Sequence, residues 1–390
     1  MNKAKEFIDK NLKGDPIIWA IVILLSIISI LVVYSATGTL AYKYKGGNTE
    51  TYIVKHAFLV FLSLGVMWAV HKIPYKTFGI IGKLLLFVSV PLLIFTYFFG
   101  SNINDANRWL TIPVIDQAFQ PSDLAKLALI ATLASFLAGK QRNIRDFKNT
   151  FIPVMIAVGV ICGLIGIANM STAVLLLVTC LLLMFIGRVP MRYTFLIVMV
   201  GMLALTAAVF FGQRGGTFVS RIENFISGEE IPYQAEQSYI AISTGGITGK
   251  GPGNSEQRNS LPHPYSDFIY AIIIEEYGLV GGGGVLLLYL ALLYRGMRIV
   301  ASSTKPFGGL LSAGLSFALV LQAMVNMAVA VGLGPITGLP LPLLSMGGTS
   351  LIFTGFSLGI ILSVSRGDHE DAEAPIVEGN NRPRRAFQPA

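Results

Sequence analysis

The chain has 390 residues, of which 53% are hydrophobic and only 13% charged, whereas a soluble domain carries about 25% charged residues. A mean hydropathy of +0.66 has the same origin, and together they exclude a soluble multidomain protein. The net charge of +8 is compatible with nucleic acid binding, but its distribution along the chain makes it a topology signal instead.

A helix needs about 20 apolar residues to cross a bilayer. The first such run is 16–36, opened by Asp15-Pro16, an N-cap acid followed by proline at the first helical position. It is too long for a signal h-region and no small-residue cleavage site follows it. Further spans are predicted over 53–70, 78–99, 121–138, 151–168, 171–187, 193–212, 267–294, 308–331 and 344–364, with Pro91 kinking the third. The stretch 151–187 is too long for one crossing at about 1.5 Å per residue, and Asn169-Met170-Ser171 divides it. The expected fold is therefore an all-α integral membrane bundle of ten transmembrane helices. A long extracytoplasmic loop, 213–266, lies between spans seven and eight.

Lys3, Lys5, Lys10, Lys13, Lys72, Lys76, the Lys140/Arg142/Arg145/Lys148 loop, Arg188, Arg192, Arg295, Arg298 and Lys305 all fall on one side of this layout. The long loop carries only Arg214, Arg221, Lys250 and Arg258. The positive-inside rule puts both termini in the cytoplasm and the long loop outside. Residues 1–366 form one membrane domain, and 367–390 are expected to be a disordered cytoplasmic tail. Cys162 and Cys180 lie inside apolar runs and build no disulfide framework. His56, His71, His263 and His369 lack zinc-ligand spacing.

Three features toward the outer side carry chemistry. Arg108-Trp109 precedes Phe119-Gln120-Pro121-Ser122-Asp123-Leu124-Ala125-Lys126, where Gln120, Asp123 and Lys126 recur at i, i+3 and i+6 on one helix side. Charges just inside a bilayer must face a bundle interior or a watery cavity. Either Asp123–Lys126 is a structural ion pair, or Lys126 and Arg108 hold an anionic group such as a pyrophosphate. Second, Tyr233-Gln234-Ala235-Glu236-Gln237-Ser238 and Gly249-Lys250-Gly251-Pro252-Gly253 lie in a loop long enough to be functional. Its glycines permit close backbone approach to a ligand.

Third, Leu261-Pro262-His263-Pro264-Tyr265-Ser266-Asp267 runs on to Glu275-Glu276-Tyr277-Gly278. Asp267 is a carboxylate at the membrane surface, suited either to capping span eight or to meeting a ligand with a wet head and a tail in lipid. Glu275 and Glu276 lie about 12–13 Å deeper and read as mainly structural intramembrane groups, with Lys126 a possible partner.

Taken together these stretches, with Pro335-Ile336-Thr337-Gly338-Leu339-Pro340-Leu341-Pro342 and Ser345-Met346-Gly347-Gly348-Thr349-Ser350, resemble the SEDS (shape, elongation, division and sporulation) family of FtsW, RodA and SpoVE. The resemblance covers about 16–365. It implies a peptidoglycan glycosyltransferase that polymerises lipid II at the outer face of the bacterial cytoplasmic membrane. The partners it implies are a class B penicillin-binding protein and other divisome or elongasome membrane proteins. The family's essential aspartate falls on Asp267, the expected general base, and the similarity leans to the division type. Arg108, Lys126 and Lys250 are the cations expected at the pyrophosphate, and Asp123, Gln120, Gln237 and Ser238 complete the expected substrate-binding set. No cofactor or closed metal site is predicted, and a divalent cation stays open.

The sequence departs from the family pattern in three places. Asp123 stands where Glu is usual, Asn169-Met170-Ser171-Thr172 lacks the frequent acid, and His263-Pro264-Tyr265-Ser266 replaces a common Glu-Ala-His-Thr. His263 is therefore given no catalytic role. A lipid-linked precursor flippase or other transporter, with key charges near the midplane, and a non-catalytic scaffold are the alternatives.

Overall fold

A computed structural model describes residues 11–38, 50–102, 107–112, 117–211, 215–228 and 231–373. Among them are twelve α-helices: α1 Pro16–Ala36, α2 Glu50–Val70, α3 Phe78–Phe99, α4 Pro121–Gly139, α5 Ile152–Ala168, α6 Met170–Ile186, α7 Met191–Phe211, α8 Gly215–Ser227, α9 Tyr233–Gly245, α10 Ile269–Ser302, α11 Pro306–Ala330 and α12 Thr349–Glu373. Eight are long and apolar enough to cross a membrane, and Met170–Ile186 with Met191–Ala204 are shorter apolar stretches.

The helix boundaries follow local chemistry. Asp15 caps α1, its Oδ1 accepting from the Ile17 and Ile18 amides at 2.9 and 3.3 Å. Its Oδ2 receives both Arg295 Nε (2.8 Å) and an Arg295 terminal nitrogen (2.5 Å). One buried carboxylate thus starts α1 and ties it to the far end of α10, a charge-assisted pairing of the strong kind. Asn169 ends α5 and caps α6 through the Thr172 amide, 3.3 Å away, so the expected division of 151–187 lies where the sequence put it.

α11 sits centrally, packed against α4, α6, α10 and α12, while α3 leans on α4 and α2 on α12. The rim turns apolar side chains outward, with Ile80, Phe87 and Phe210 each at least 75% exposed. Water punishes such a surface and hydrocarbon does not, which is the pattern of a chain dissolved in lipid.

Four expectations need correction. The stretch 213–266 is not one long loop, since it carries α8 and α9. A small antiparallel sheet, β1 Ser101–Asn102, β2 Asn107–Ile112 and β3 Gln117–Phe119, adds strands to the all-α fold. The last helix begins at Thr349 rather than 344, because residues 332–348 form an irregular segment with positive φ at Gly332, Gly338, Leu343 and Gly348. At the other end α12 continues through 367–373, part of the expected disordered tail, whereas 374–390 lie outside the described residues.

The most unusual element is α10. At Gly278 its backbone turns to φ +68°, ψ −171°, a conformation L side chains avoid. The carbonyls of Glu275 and Glu276, which a continuous helix would bond internally, accept instead from the Lys250 and Gly251 amides at 2.9 Å each. The Leu279 and Val280 amides donate to Gly246 and Ile247 at 3.0 and 3.2 Å. The contact is backbone on backbone, because a Cβ at Gly278 would meet the Ile247 oxygen at 2.1 Å. Gly278→Ala is expected to lose about 2–5 kcal/mol from strain and overpacking together. This will be read as a large fall in the detergent unfolding temperature, and an unchanged value would contradict the reading.

Candidate functional site

A cavity of about 510 Å³ opens at the end of the bundle where α4 and α10 begin. Several parts of the chain bring it their polar side chains, among them Gln322 of α11 and Ser350 of α12. β2 supplies Arg108 and Trp109, the start of α4 supplies Gln120, Asp123 and Lys126, the α6 cap supplies Asn169 and Thr172, the segment before α10 supplies His263, Tyr265, Ser266 and Asp267, and α2 supplies Lys55. The two loops Gly338–Pro340 and Met346–Gly348 close it. A smaller hollow of about 60 Å³ continues beside Asp123 and Lys126 between Leu127, Ile130, Leu319 and Phe353, giving a charged chamber an apolar extension.

Asp267 is held from several directions. Asn326 Nδ2 donates to the Asp267 carbonyl (2.7 Å) and to that of Leu339 (2.8 Å). Ser345 Oγ donates to the Ser266 carbonyl at 2.6 Å, and the Met346 amide to that of Tyr265 at 2.9 Å. The Asp267 side chain accepts from Ser266 Oγ at 2.9 Å. Gly338, at φ +68°, brings bare backbone so near that a Cβ there would stand 3.6 Å from Asp267 Oδ2. The capping alternative fails, for Phe268 occupies the N-cap position of α10, and the carboxylate is left to face the cavity.

Lys126 and Asp123 form an ion pair at 2.8 Å, Asp123 being almost fully buried. The pair uses Asp123 Oδ1, and Oδ2 is buried with no hydrogen-bond partner among the described residues. Gln120 Nε2 donates to Ser122 Oγ at 2.8 Å. The ion pair of the first reading is therefore present, and its lysine lines the cavity.

Three expected substrate-binding residues lie elsewhere. Ser238 is fully buried and its Oγ donates to the Ala330 carbonyl at 2.9 Å. Gln237 sits beside it on α9, outside the cavity lining. Lys250 Nζ binds Glu275 Oε1 (2.9 Å) and Glu256 (3.3 Å), and the hydrogen bond to Glu275 holds its ammonium above the ordinary lysine range. Glu275 also accepts from Ser255 Oγ (2.5 Å) and the Glu256 amide (3.1 Å), and Glu276 accepts from Ser35 Oγ. Lys126 therefore partners neither glutamate. Both carboxylates lie outside the cavity lining, and Glu275 is the buried hub of the contacts between 250–257 and α10.

Sequence reasoning missed Lys55, Gln322 and Asn326. Each is a strongly polar residue inside an apolar helix, which is itself a signal of an interior or functional position. Among the described residues no three His, Cys, Asp or Glu side chains gather as a metal site.

Apolar helices around a charged cavity at one end of the bundle define a multi-pass membrane protein. Its chain matches the FtsW/RodA/SpoVE family model, described as cell cycle protein, over residues 15–370, and it belongs to that family. Stage V sporulation protein E of Bacillus subtilis (strain 168) is 32% identical over 371 residues, covering 92% of this chain and 98% of that one. The probable peptidoglycan glycosyltransferase FtsW of Geobacter sulfurreducens (strain DL-1 / KN400) is 32% identical over 359 residues, covering 90% and 95%. A chain of a peptidoglycan synthase complex that coordinates polymerization and crosslinking aligns at TM-score 0.71 and 25% identity, over 92% of this chain and 99% of that one. Rod shape determining protein RodA of Thermus thermophilus aligns at TM-score 0.65 and 23% identity, over 91% and 98%.

Removing the Glu275 carboxylate strands the donors that converge on it. Glu275→Ala is expected to cost about 3–5 kcal/mol, the usual range for breaking a buried pair, read as a lower unfolding temperature of the purified protein.

Proposed function

We propose that the cavity is where this peptidoglycan glycosyltransferase polymerises lipid II into β-1,4 glycan, with Asp267 as general base. The observation that carries the reading is the placement of Asp267 in one chamber with Arg108 and Lys126, whose apolar extension suits a lipid tail. The 4-hydroxyl of an acceptor N-acetylglucosamine is a weak nucleophile. Asp267 takes its proton as the oxygen bonds to the donor's anomeric carbon. The bond from that carbon to the pyrophosphate oxygen breaks, and the electron pair leaves with the pyrophosphate. Displacement at an α-linked carbon inverts it and yields the β bond. Arg108 and Lys126 stabilise the charge that grows on the leaving group, the type of stabilisation that lowers such barriers most.

In this reading α1 to α7 and α10 to α12 are ten spans. The membrane is the bacterial cytoplasmic one, both termini are cytoplasmic, and the cavity opens on the outer face. The division type is favoured over the elongation type, with a class B penicillin-binding protein as partner. Of the charges a carrier would use, Asp123, Lys126, Glu275 and Glu276, the two glutamates lie outside the cavity and are held by Lys250 and Ser35, which supports the polymerase reading over the carrier.

Asp267→Asn keeps the shape and removes the base. Lipid II polymerisation by the purified protein with its penicillin-binding protein is expected to fall about 10²–10⁴-fold while the unfolding temperature holds. Polymer at the wild-type rate would refute the base assignment. Asn326→Leu unties the Asp267 carbonyl and is expected to lower kcat about 10²-fold, a loss that Asn326→Gln is expected to restore only in part.

A further inference from the structure

A second, smaller hollow adjoins the cavity, and Arg108 and Asn169 line both. Its other polar groups are Ser171, Thr217, Arg221 and Thr337. Two guanidiniums and three hydroxyls therefore line it. Ser171 stands in the first turn of α6 and Thr217 in the first turn of α8, so the starts of two helices, the positive ends of their dipoles, border the hollow. Arg221 is aligned by a bond from one terminal nitrogen to the Ile336 carbonyl at 3.0 Å. Guanidiniums, hydroxyls and helix starts share one preferred ligand, a phosphate or pyrophosphate.

The position of α8 narrows the source. Phe218, Ile222, Phe225 and Ile226 recur at i, i+4, i+7 and i+8 on one face, and Phe225 and Ile226 are 44% and 78% exposed. An amphipathic helix of this kind lies in the membrane interface, at the depth of a lipid headgroup. The chemistry supplies the second anion. If the site polymerises lipid II, both reactants carry a lipid pyrophosphate, yet only the donor's leaves; the acceptor's remains on the product through the bond-forming step.

Resting on the polymerase reading above, the geometry points to two anion seats that share Arg108. Arg108 with Lys126 takes the departing pyrophosphate, and Arg108 with Arg221 takes the pyrophosphate that the acceptor keeps. Arg221 is thus a positioning residue for the acceptor. The alternative source of the same chemistry is the phosphate of an ordinary anionic phospholipid.

The test uses the full chain with its penicillin-binding protein in phosphatidylcholine nanodiscs. Arg221→Gln is expected to raise the lipid II concentration for half-maximal rate about tenfold or more, with kcat within about twofold of wild type. Lys126→Gln is expected to lower kcat instead, and Arg221→Lys to recover most of the lost affinity. Binding of undecaprenyl pyrophosphate, read without turnover, is expected to show two molecules per wild-type protein and one per Arg221→Gln protein. A lowered kcat with unchanged half-saturation, or unchanged stoichiometry, overturns the assignment. So does an effect of Arg221→Gln that appears only when phosphatidylglycerol is added. A wild-type protein that binds two undecaprenyl pyrophosphates but makes no glycan refutes the polymerase reading while leaving the two seats standing.

Discussion

Everything at the charged end of this molecule depends on the exchange of backbone partners at Gly278. Breaking a helix inside a membrane protein orphans carbonyls on one side and amides on the other, and each unsatisfied group costs several kcal/mol in hydrocarbon. Here the segment 246–251 meets four of them at once, so the break and the segment exist only together. The Glu275 carboxylate then draws in Lys250, Ser255 and the Glu256 amide. A glutamate that would be a liability alone becomes the fastening of the outer segment, and α9 is carried with it against α10.

That fastening bears on the cavity through chain geometry. Asp267 precedes the same helix by two residues, so a rigid α10 gives the carboxylate a fixed base. Asn326 from α11 and Ser345 from the irregular segment hold the neighbouring carbonyls. Three remote parts of the chain agree on one position, which is what the proposed general base needs, since an error near 1 Å can cost about 10²-fold in rate. None of these contacts touches the Asp267 carboxylate itself except the Ser266 hydroxyl, and the carboxylate stays available to a substrate.

Much of this was legible in the sequence. Asp15-Pro16, the interruption at Asn169 and the grouping of Gln120, Asp123 and Lys126 each rest on local rules of capping and spacing, and local rules survive folding. Lys250 was misplaced because its partner is 25 residues away and only the Gly278 break brings them together; periodicity carries no trace of a helix that changes partners. Ser238 was misplaced for a related reason, since a hydroxyl in an outer segment reads as accessible until α11 covers it. Lys55 was passed over because one lysine in an apolar run looks like a snorkelling side chain, and only the assembled bundle turns it toward the cavity. The sheet carrying Arg108 is too short for its alternation to register.

The departure at position 123 has a physical consequence of its own. A glutamate there would carry its carboxylate one methylene farther from the helix axis. With aspartate the pair to Lys126 closes at 2.8 Å within a single turn, near the start of α4, where both residues line the cavity. One carboxylate oxygen is consumed and the other stays buried without a partner among the described residues, and such a group gains from any donor that reaches it. For the proposed function, the shorter acid thus offers a cation and an acceptor side by side on one helix turn, the one suited to a phosphate and the other to a sugar hydroxyl.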